Sequence, residues 1–493
     1  MSEPTPAETS NDGPGPGGDS AERLHLKRAL GPLMLWGLGV GYVISGEYFG
    51  WNLGLKAGGT AGLLAALVLV TTMYVAFVFS YTEMACAIPR AGGVFVYGVR
   101  ALGLRAGYVG GLAQLVEFVF ATPAIAMAIG DYFGVWFPQA NAKWIALGAY
   151  VLFTALNIWG VHQAAAFELC VTVLAVLGLV VFAAVAAPHF EWSNFTANAM
   201  PHGWGGTLAA IPFAIWFYLA IEGVANAAEE AKNPRRDVAI GFSAAIVTLV
   251  VLAISVFVFS VGIGGWERVV YPDETLSVAV DGKVQVAQGA AASNGPLPLA
   301  LAQIMKPTHP IYRLLVAVGL LGFVASFNGI ILAAGRSLFE MGRVGFLPHF
   351  IGHTSRVTKT PVNALLVNLV VGMTAILFLD TGGLITMSAL GAVTLYIVSM
   401  IALMRLRAKE PHLPRPFRTP LYPLLPLVAL VIALFSLVTM VYFNLPDRSA
   451  TNFFQRWIAL WYLLFLAASL GYYYLFVRGR LTEEDIAHFQ RIE

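Results

Sequence analysis

Charged side chains are scarce in this chain of 493 residues, where Asp, Glu, Lys and Arg together make up 11% and hydrophobic residues 58%. Soluble domains carry about a quarter charged residues, so this composition excludes an ordinary soluble globular protein and predicts one embedded in a membrane. The formal net charge of +2 is too small to indicate a nucleic-acid partner. The two cysteines, Cys86 and Cys170, both lie in apolar runs, which predicts packed thiols rather than a disulfide framework.

Motifs for catalysis and nucleotide binding are missing as well. The chain has no P-loop, so ATP-driven activity is not expected. No histidine lies in the middle of an apolar run, and the pair His349 and His353 lacks Cys or acidic neighbours at metal-ligand spacing. No arrangement of a nucleophile with a base is apparent. We therefore expect a protein that is not an enzyme and that needs no cofactor or metal.

Long apolar runs are abundant instead. A helix needs roughly 20 apolar residues to cross a bilayer, and about twelve runs come near that length. They cover approximately residues 31–55, 62–87, 107–136, 143–160, 166–187, 207–230, 236–263, 310–341, 361–379, 382–404, 421–443 and 453–477. The first residues are rich in Pro, Gly, Ser and acidic side chains and lack the basic start of a signal peptide. Residues 1–25 are therefore predicted to be a disordered cytoplasmic tail.

Lys and Arg residues are distributed unevenly between the loops. If the N-terminus is cytoplasmic, most of the 29 basic residues fall in cytoplasmic segments, in accordance with the positive-inside rule. Shifting the count by one span destroys this asymmetry. We predict a multi-pass protein of the cytoplasmic (inner) membrane with both termini in the cytoplasm. The longest external loop, near 265–309, is expected to form a small ordered cap.

Two of the apolar runs are interrupted near their centres. The stretch GVGYVISGEYFGWNLG, which begins at Gly39, contains several glycines and Glu47, and IWFYLAIEGVANAAEEAKNPRRD contains Glu222 and Gly223. Unpaired backbone groups and carboxylates are costly in hydrocarbon, so breaks of this kind line a cavity or an ion site. Because each interrupted run is the first of a set of five, the pattern predicts two inverted five-helix repeats with a substrate at their centre. The alternative is that the glycines only permit close helix packing.

Four stretches follow a recognisable order. The second run ends in YTEMACAIPRAGGVFVYGVRALG, the sixth in IEGVANAAEEAKNPRRDV, and the eighth in AAGRSLFEMGRVGFLPHF before KTPVNALLVN. Together they resemble, over roughly residues 30–405, the amino acid–polyamine–organocation (APC) superfamily of secondary transporters. The resemblance implies a LeuT-type fold, which is an all-α membrane protein with twelve transmembrane helices. It has a 5+5 inverted repeat with helices 1 and 6 broken, plus two extra C-terminal helices.

This architecture divides the chain into segments. The transporter core is expected at 26–405, with the two repeats at about 31–187 and 207–404. A cytoplasmic loop with helices 11 and 12 is expected at 406–477, and a cytoplasmic tail at 478–493. Helices 11 and 12 are apolar throughout, so we expect them to serve packing or a homodimer interface. Glu83 is expected to pair with a loop arginine, and Glu168 to lie at the membrane interface.

The first break departs from the family in one residue. The resemblance implies that amino acid carriers have three small residues there, whose free N–H groups bind the substrate carboxylate. Here the triplet is Ser45-Gly46-Glu47. Two negative groups about 4 Å apart in a low-dielectric site repel by several kcal/mol, so the site favours a small cation with an ammonium group and no carboxylate. The segment GVGYVISGEYFGWNLGLKAGGTAG resembles the ethanolamine permease branch, and ethanolamine is the expected substrate.

Further candidates come from the two breaks and from the third run. Glu222 matches a family position with a role in protonation and transport, with a structural hydrogen bond as the alternative. Trp216 matches a gating aromatic position, with ordinary aromatic packing as the alternative. Glu117, with Gln114 on the same helix face, either lines the cavity or forms interhelical hydrogen bonds. The predicted substrate site comprises Ile44, Ser45, Gly46, Glu47, Gln114, Glu117, Trp216, Phe217, Tyr218, Leu219, Ala220 and Glu222.

The coupling mode is left open by the sequence. The resemblance implies a Lys in the fifth run of some proton-coupled relatives, where this chain has Ala175. The resemblance also implies that sodium-coupled relatives use hydroxyl groups of the eighth run for coupling. Ser326 is the candidate for this role here, and the alternative is a hydrogen bond to the backbone of its own helix. Ser326 and Glu222 are thus the coupling candidates if H⁺ or Na⁺ is the coupling ion, and uniport and exchange are the alternatives.

The sequence as a whole predicts a secondary transporter, or permease, in the lipid bilayer. It would import ethanolamine or a similar small amino alcohol by alternating access. The first alternative is an amino acid permease of the same fold. A more remote alternative is a membrane sensor or channel that binds an amine.

Overall fold

The computed structural model describes residues 29–90, 92–159, 165–278, 284–355, 357–358, 360–446 and 452–479. Almost all regular structure in these ranges is helical. The α-helices are α1 (Pro32–Val43), α2 (Ser45–Tyr48), α3 (Asn52–Ala87), α4 (Val94–Leu102), α5 (Leu104–Gly134), α6 (Ala142–Ile158), α7 (Ala165–Ala186), α8 (Trp192–Thr196), α9 (Gly203–Ala209), α10 (Ile211–Trp216), α11 (Gly223–Asn226), α12 (Pro234–Gly264), α13 (Trp266–Val270), α14 (Pro296–Ala302), α15 (Pro310–Arg343), α16 (Val362–Phe378), α17 (Thr381–Lys409), α18 (Leu424–Phe443), α19 (Phe453–Arg456) and α20 (Ile458–Tyr472). The predicted tail at 1–25 and nearly all of the one at 478–493 lie outside the described residues.

Shorter elements complete the described chain. Single 3₁₀ turns cover Ala187–His189, Ala228–Glu230, Asp273–Thr275 and His349–Gly352, and a π-helical turn covers Tyr473–Val477. One antiparallel hairpin pairs β1 (Leu276–Val278) with β2 (Val284–Val286). The hairpin, α13 and α14 all lie in the long loop that the sequence predicted to form a cap.

Length and apolarity identify the membrane-crossing helices. Eight helices in the described ranges are long and apolar enough to cross a membrane, and three shorter apolar helices, α1, α6 and α16, accompany them. Each predicted apolar run coincides with one of these helices or, for the sixth run, with the short helices α9, α10 and α11. The protein is therefore a multi-pass helical membrane protein. The count of twelve spans and the inverted repeat remain predictions.

Helix α3 joins the end of the first predicted run to the second. Gly59 has φ +68° and ψ −172°, which interrupts the helix between a short segment at 52–58 and the long remainder of α3. A side chain at this position would place its Cβ 2.3 Å from Cδ of Pro201. Glycine therefore turns the chain within one residue, between the first and second predicted apolar runs.

The helices differ in how deeply they are buried. Helix α5 is almost entirely enclosed and packs against α17, α15, α4 and α6, while α1 packs against α12, α7 and α15. Helices α18 and α20 expose most of their apolar side chains, which is the pattern of helices that face lipid. The centre of the molecule is thus built around α5 and the first broken helix.

Ion pairs join the ends of α3, α4 and α17. The Glu83 carboxylate accepts a hydrogen bond of 2.8 Å from Nε of Arg407 and lies 3.1 Å from Nε of Arg415 in the loop after α17. The predicted pairing of Glu83 with a loop arginine is therefore observed. Arg100 donates two hydrogen bonds, of 3.0 and 2.6 Å, to Glu410. These bonds hold the pKa of the Glu410 carboxyl below its ordinary value.

The cap loop is tied to the helices beneath it. Asn52, at the start of α3, donates a hydrogen bond of 2.7 Å from Nδ2 to the carbonyl oxygen of Ser293. The backbone N–H of Asn294 donates to Oδ2 of Asp131 near the end of α5 at 3.2 Å. The same short stretch of the loop thus contacts both the first broken helix and the central helix α5.

Candidate functional site

The first broken helix changes direction just after α2. Ile44 separates α1 from α2 with φ −54° and ψ −27°, which is still a helical conformation. Phe49 is extended, with φ −158° and ψ 170°, and Gly50 has φ +88°. A Cβ at Gly50 would lie 2.5 Å from Nε1 of Trp216, so glycine serves both the turn and the close approach. The main turn therefore lies C-terminal to the predicted triplet Ser45-Gly46-Glu47.

The backbone N–H groups of that triplet are largely engaged. Glu47 N donates to the carbonyl oxygen of Ile44 at 3.1 Å, and Ser45 N donates to Oγ of Ser326 at 3.2 Å. The resemblance implied free N–H groups at this triplet, as in carriers that bind a carboxylate. Here the N–H groups of Ser45 and Glu47 have partners within the protein instead, one on α15 and one in the preceding turn.

The second break lies between α10 and α11. Residues 217–222 form turns rather than helix, and Ala220 has φ +75°, which is rare for a residue with a side chain. The sequence analysis placed the interruption at Glu222 and Gly223, and the non-helical segment ends where α11 begins at Gly223. Phe217 stacks on Trp51 with ring centroids 5.6 Å apart, so an aromatic pair joins the two breaks.

The two broken helices touch each other directly. A Cβ on Gly46 would lie 2.4 Å from the carbonyl oxygen of Trp216, so the backbones meet at this glycine. A small cavity lies beside the contact. It is lined by Tyr42, Val43, Ser45, Gly46, Ile125, Trp216, Leu219 and Ile330. Four predicted residues, Ser45, Gly46, Trp216 and Leu219, are among them.

Four lining residues were missed by the sequence analysis. Tyr42 and Val43 precede the first break, Ile125 lies on α5 and Ile330 on α15. Apolar side chains in apolar spans carry no signal of their own. Helix periodicity could have found Ile330, because it lies one turn beyond Ser326 on the same face of α15.

Glu47 is fully buried without a partner. Neither carboxylate oxygen has a hydrogen bond within the described part of the chain, and the side chain does not line the cavity. Its backbone carbonyl accepts a hydrogen bond of 3.1 Å from Nε1 of Trp51. A buried carboxylate in this state is costly, so Glu47 is a group whose charge needs a cation or a proton.

Glu117 and Glu222 lie close to each other. Both side chains are fully buried and their carboxyl groups interact electrostatically, while Oε2 of Glu117 and Oε1 of Glu222 have no hydrogen bond to any described residue. Oε1 of Glu117 accepts from the backbone N–H of Ala220 at 3.1 Å, and Oε2 of Glu222 accepts from the hydroxyl of Tyr396 at 3.3 Å. Two buried carboxylates near each other repel, so this arrangement disfavours two negative charges at once. Glu117 thereby connects α5 to the second break.

The other predicted residues take different positions around this centre. Ser326 on α15 donates from Oγ to the carbonyl oxygen of Gly41 at 2.6 Å, so it bonds the first broken helix and not its own backbone. The hydroxyl of Tyr218 is hydrogen-bonded to Oγ1 of Thr71 at 2.7 Å. Gln114 is buried next to Gly93, and its Nε2 has no partner among the described residues. Gln114 is therefore not brought to the cavity.

The contact between Glu117 and the second break leads to a stability prediction. We expect Glu117→Leu to lower the midpoint of thermal unfolding, because a buried polar group left without its partner costs about 1–3 kcal/mol. The group affected is the N–H of Ala220. Glu117→Gln retains an acceptor for it, so the midpoint of this variant should stay near that of the parent. Thermal unfolding in detergent measures both, and equal losses in the two variants would contradict the prediction.

Comparisons with known proteins identify the family. The sequence model described as "Amino acid permease" matches residues 30–470, which is most of the chain. The chain belongs to the amino acid permease family. Its members are transporters, so this permease is not an enzyme.

Individual relatives are distant but cover most of the chain. An uncharacterized transporter of Rhizobium meliloti is 28% identical over 401 residues, which is 79% of this chain and 81% of that protein. The branched-chain amino acid permease BcaP of Bacillus subtilis is 24% identical over 429 residues, covering 80% and 84% of the two chains. A solved structure of a manganese transporter of Eremococcus coleocola superposes with a TM-score of 0.53 at 12% identity, covering 96% of this chain and 97% of that one. The permease therefore shares the overall fold of that transporter.

Proposed function

We propose that this permease imports ethanolamine or a similar small amino alcohol through the cavity between its two helix breaks. One observation carries the proposal. Three fully buried carboxyl groups, of Glu47, Glu117 and Glu222, lie at or against the breaks. None of them forms an ion pair with a Lys or Arg among the residues that the structure describes.

An ammonium group is the natural complement of such a site. Removing a carboxylate from water without a partner is costly, and an opposite charge at close range offsets that cost. Glu117 and Glu222 each accept a hydrogen bond, whereas the carboxylate of Glu47 accepts none from any described residue. We therefore assign the substrate ammonium to Glu47, whose side chain would have to turn into the cavity beside its neighbours Ser45 and Gly46. Trp216 and Leu219, which line the cavity, would be further contacts.

A substrate that also carries a carboxylate is disfavoured by the same charges. Two like charges about 4 Å apart at an effective dielectric constant of 20 repel by about 4 kcal/mol. The N–H groups of Glu47 and Ser45, which a carboxylate would use, already have partners in the protein. These two N–H groups are thus not free to bind the carboxylate of an α-amino acid.

An amino acid substrate is the second candidate. It is favoured by the description of the family and by the branched-chain amino acid permease among the relatives. The apolar cavity lining of Val43, Ile125 and Ile330 also suits an aliphatic side chain. In that case Glu47 serves the structure and takes no part in substrate binding.

Competition in proteoliposomes separates the two candidates. Uptake of labelled ethanolamine is measured with an excess of unlabelled ethanolamine, choline, alanine or arginine, with protein-free liposomes as the control. We expect unlabelled ethanolamine to block uptake and alanine and arginine to leave it unchanged. Strong competition by an amino acid would indicate that this amino acid, and not ethanolamine, is the substrate. Counterflow of preloaded ethanolamine distinguishes a carrier from a channel or a sensor.

The membrane arrangement proposed here follows the distribution of Lys and Arg. We propose twelve spans in two inverted repeats, with both termini in the cytoplasm of a cell bounded by an inner membrane. Substrate then crosses by alternating access, with H⁺ or Na⁺ as the coupling ion and α18 and α20 as the surface for a homodimer. Ser326 and Glu222 are the residues through which coupling would act.

A further inference from the structure

Tyr42 lines the cavity and fills a slot between two glycines. A Cβ on Gly223 would lie 2.7 Å from Cδ2 and 2.9 Å from Cε2 of the Tyr42 ring. A Cβ on Gly329 would lie 2.7 Å from Cε1 and 2.8 Å from Cδ1 on the opposite edge. Both distances are shorter than real Cβ atoms adopt, so the ring fits here only because both residues are glycine.

The two walls of this slot belong to different structural parts. Gly223 is the first residue of α11, immediately after the second break, and Gly329 lies in the middle of the continuous helix α15. Tyr42 belongs to α1, before the first break. The Tyr42 ring, which belongs to the first broken helix, is therefore packed between the second broken helix and the continuous helix α15.

The backbone joins α1 to the segment after α11 on this side of the molecule. The N–H groups of Ala29 and Leu30 donate to the carbonyl oxygen of Glu230 at 2.9 and 3.0 Å, and Lys232 N donates to the carbonyl oxygen of Leu30 at 2.8 Å. Main-chain hydrogen bonds therefore join the start of α1, which carries Tyr42, to the segment that follows α11, which carries Gly223. Gly329 belongs to α15, which is not part of this hydrogen-bonded pair.

Charged groups surround the outer end of the slot. Arg336 on α15 lies 3.5 Å from Oε1 of Glu230, so an ion pair crosses the same boundary. Glu168 on α7 is only 8% exposed, and its unpartnered Oε1 lies 3.3 Å from the Cβ position of Gly329. All three charges interact electrostatically with Tyr42. Glu168 is therefore buried among these groups in the first turn of α7, and its predicted position at the membrane interface stays a prediction.

We propose that Tyr42 closes the substrate cavity toward the side on which α1 begins, and that substrate leaves on that side only when the ring leaves the slot between Gly223 and Gly329. The ring lines the cavity and also lies near the cluster of Glu168, Arg336 and Glu230, which places it at the boundary between the two. Opening requires α11 to separate from α15, which also breaks the ion pair of Arg336 with Glu230. This gate depends on the proposed function in one respect only: substrate leaves through it if the permease is an importer.

Thiol labelling tests the gate without any substrate. Ile330→Cys places a reporter in the cavity of a protein whose own Cys86 and Cys170 are replaced by serine. A charged, membrane-impermeant thiol reagent is then applied from the side on which α1 begins. We expect Tyr42→Ala to raise the labelling rate by about tenfold through a shift toward the open population. Tyr42→Phe retains the ring, so labelling should stay at the parental rate.

Gly329→Ala provides an independent variant that keeps Tyr42. Its Cβ excludes the seated ring, so labelling should rise as it does in Tyr42→Ala, and the double variant should label no faster than Tyr42→Ala alone. Gly148→Ala is the matched control, because a Cβ there has no atom within 4 Å. Parental labelling in both Tyr42→Ala and Gly329→Ala, or equal labelling of Tyr42→Phe and Tyr42→Ala, would overturn the proposal. Labelling is independent of the substrate, so a gate can be established even if ethanolamine is not transported.

Discussion

Replacing Glu47 by glutamine is expected to lower ethanolamine uptake by about 100-fold, because losing one partner of a buried charge pair costs 2–5 kcal/mol. Glutamine has nearly the same shape, so the change removes the charge and leaves the packing of α2 intact. Both carboxylate oxygens are buried without a hydrogen bond from any described residue. Initial rates in proteoliposomes, together with equilibrium binding of ethanolamine in detergent, measure the effect.

The same substitution should have the opposite effect on stability. A buried carboxylate without a partner destabilises the empty protein, so glutamine should raise the midpoint of thermal unfolding or leave it unchanged. Lower uptake with undiminished stability separates a substrate-binding role from a structural one. Glu274→Gln, on the exposed cap loop, is the matched control and should retain full uptake. Parental uptake by Glu47→Gln would remove Glu47 from the site and favour the amino acid alternative.

Gly46→Ala is expected to abolish uptake of any substrate. The added Cβ would lie 2.4 Å from the carbonyl oxygen of Trp216 and 3.3 Å from its carbonyl carbon. Because the obstacle is backbone and not the end of a flexible side chain, the two broken helices must move apart. Overpacking of this kind costs about 1–3 kcal/mol, and here it displaces the walls of the cavity. The variant should therefore lose uptake and unfold at a lower temperature than the parent.

A second glycine supplies the control for this experiment. Gly148, in the interior of α6, has no atom within 4 Å of its Cβ position. Alanine there should be neutral or should stabilise the helix by about 0.5–1 kcal/mol, because glycine is the weaker helix former. Uptake and unfolding are compared for the two variants under the same conditions. If Gly46→Ala transported at the rate of Gly148→Ala, the contact between the breaks would have no role in transport.

Much of the architecture could be predicted from the sequence. Hydrocarbon requires long apolar helices with every backbone group bonded, so the apolar runs mark the spans directly. For the same reason, glycines next to Glu47 and Glu222 inside such runs indicate breaks, and both interrupted runs are interrupted in the structure. The pairing of Glu83 with a loop arginine also follows from composition, because a carboxylate at the end of a span needs a cation.

Other features could not be predicted because they depend on how the helices are rotated and packed. Packing of α7 against α1 and α15 buries Glu168, which its position near the end of a span could not indicate. The turn after Ser45-Gly46-Glu47 lies at Phe49 and Gly50 because Gly50 must approach Trp216, which is more than 160 residues away.

The sequence by itself determined a multi-pass helical permease with two interrupted spans and acidic groups beside them. The reason is that a bilayer requires apolar side chains and hydrogen-bonded backbone groups along each span, and both are visible in the local sequence. Only the tertiary structure decided that Glu117 meets Glu222, that Ile125 and Ile330 face the cavity, and that Tyr42 fits between two glycines. Such contacts join residues from separate helices. They depend on shape complementarity between helices, which cannot be predicted from the apolar side chains of one helix alone.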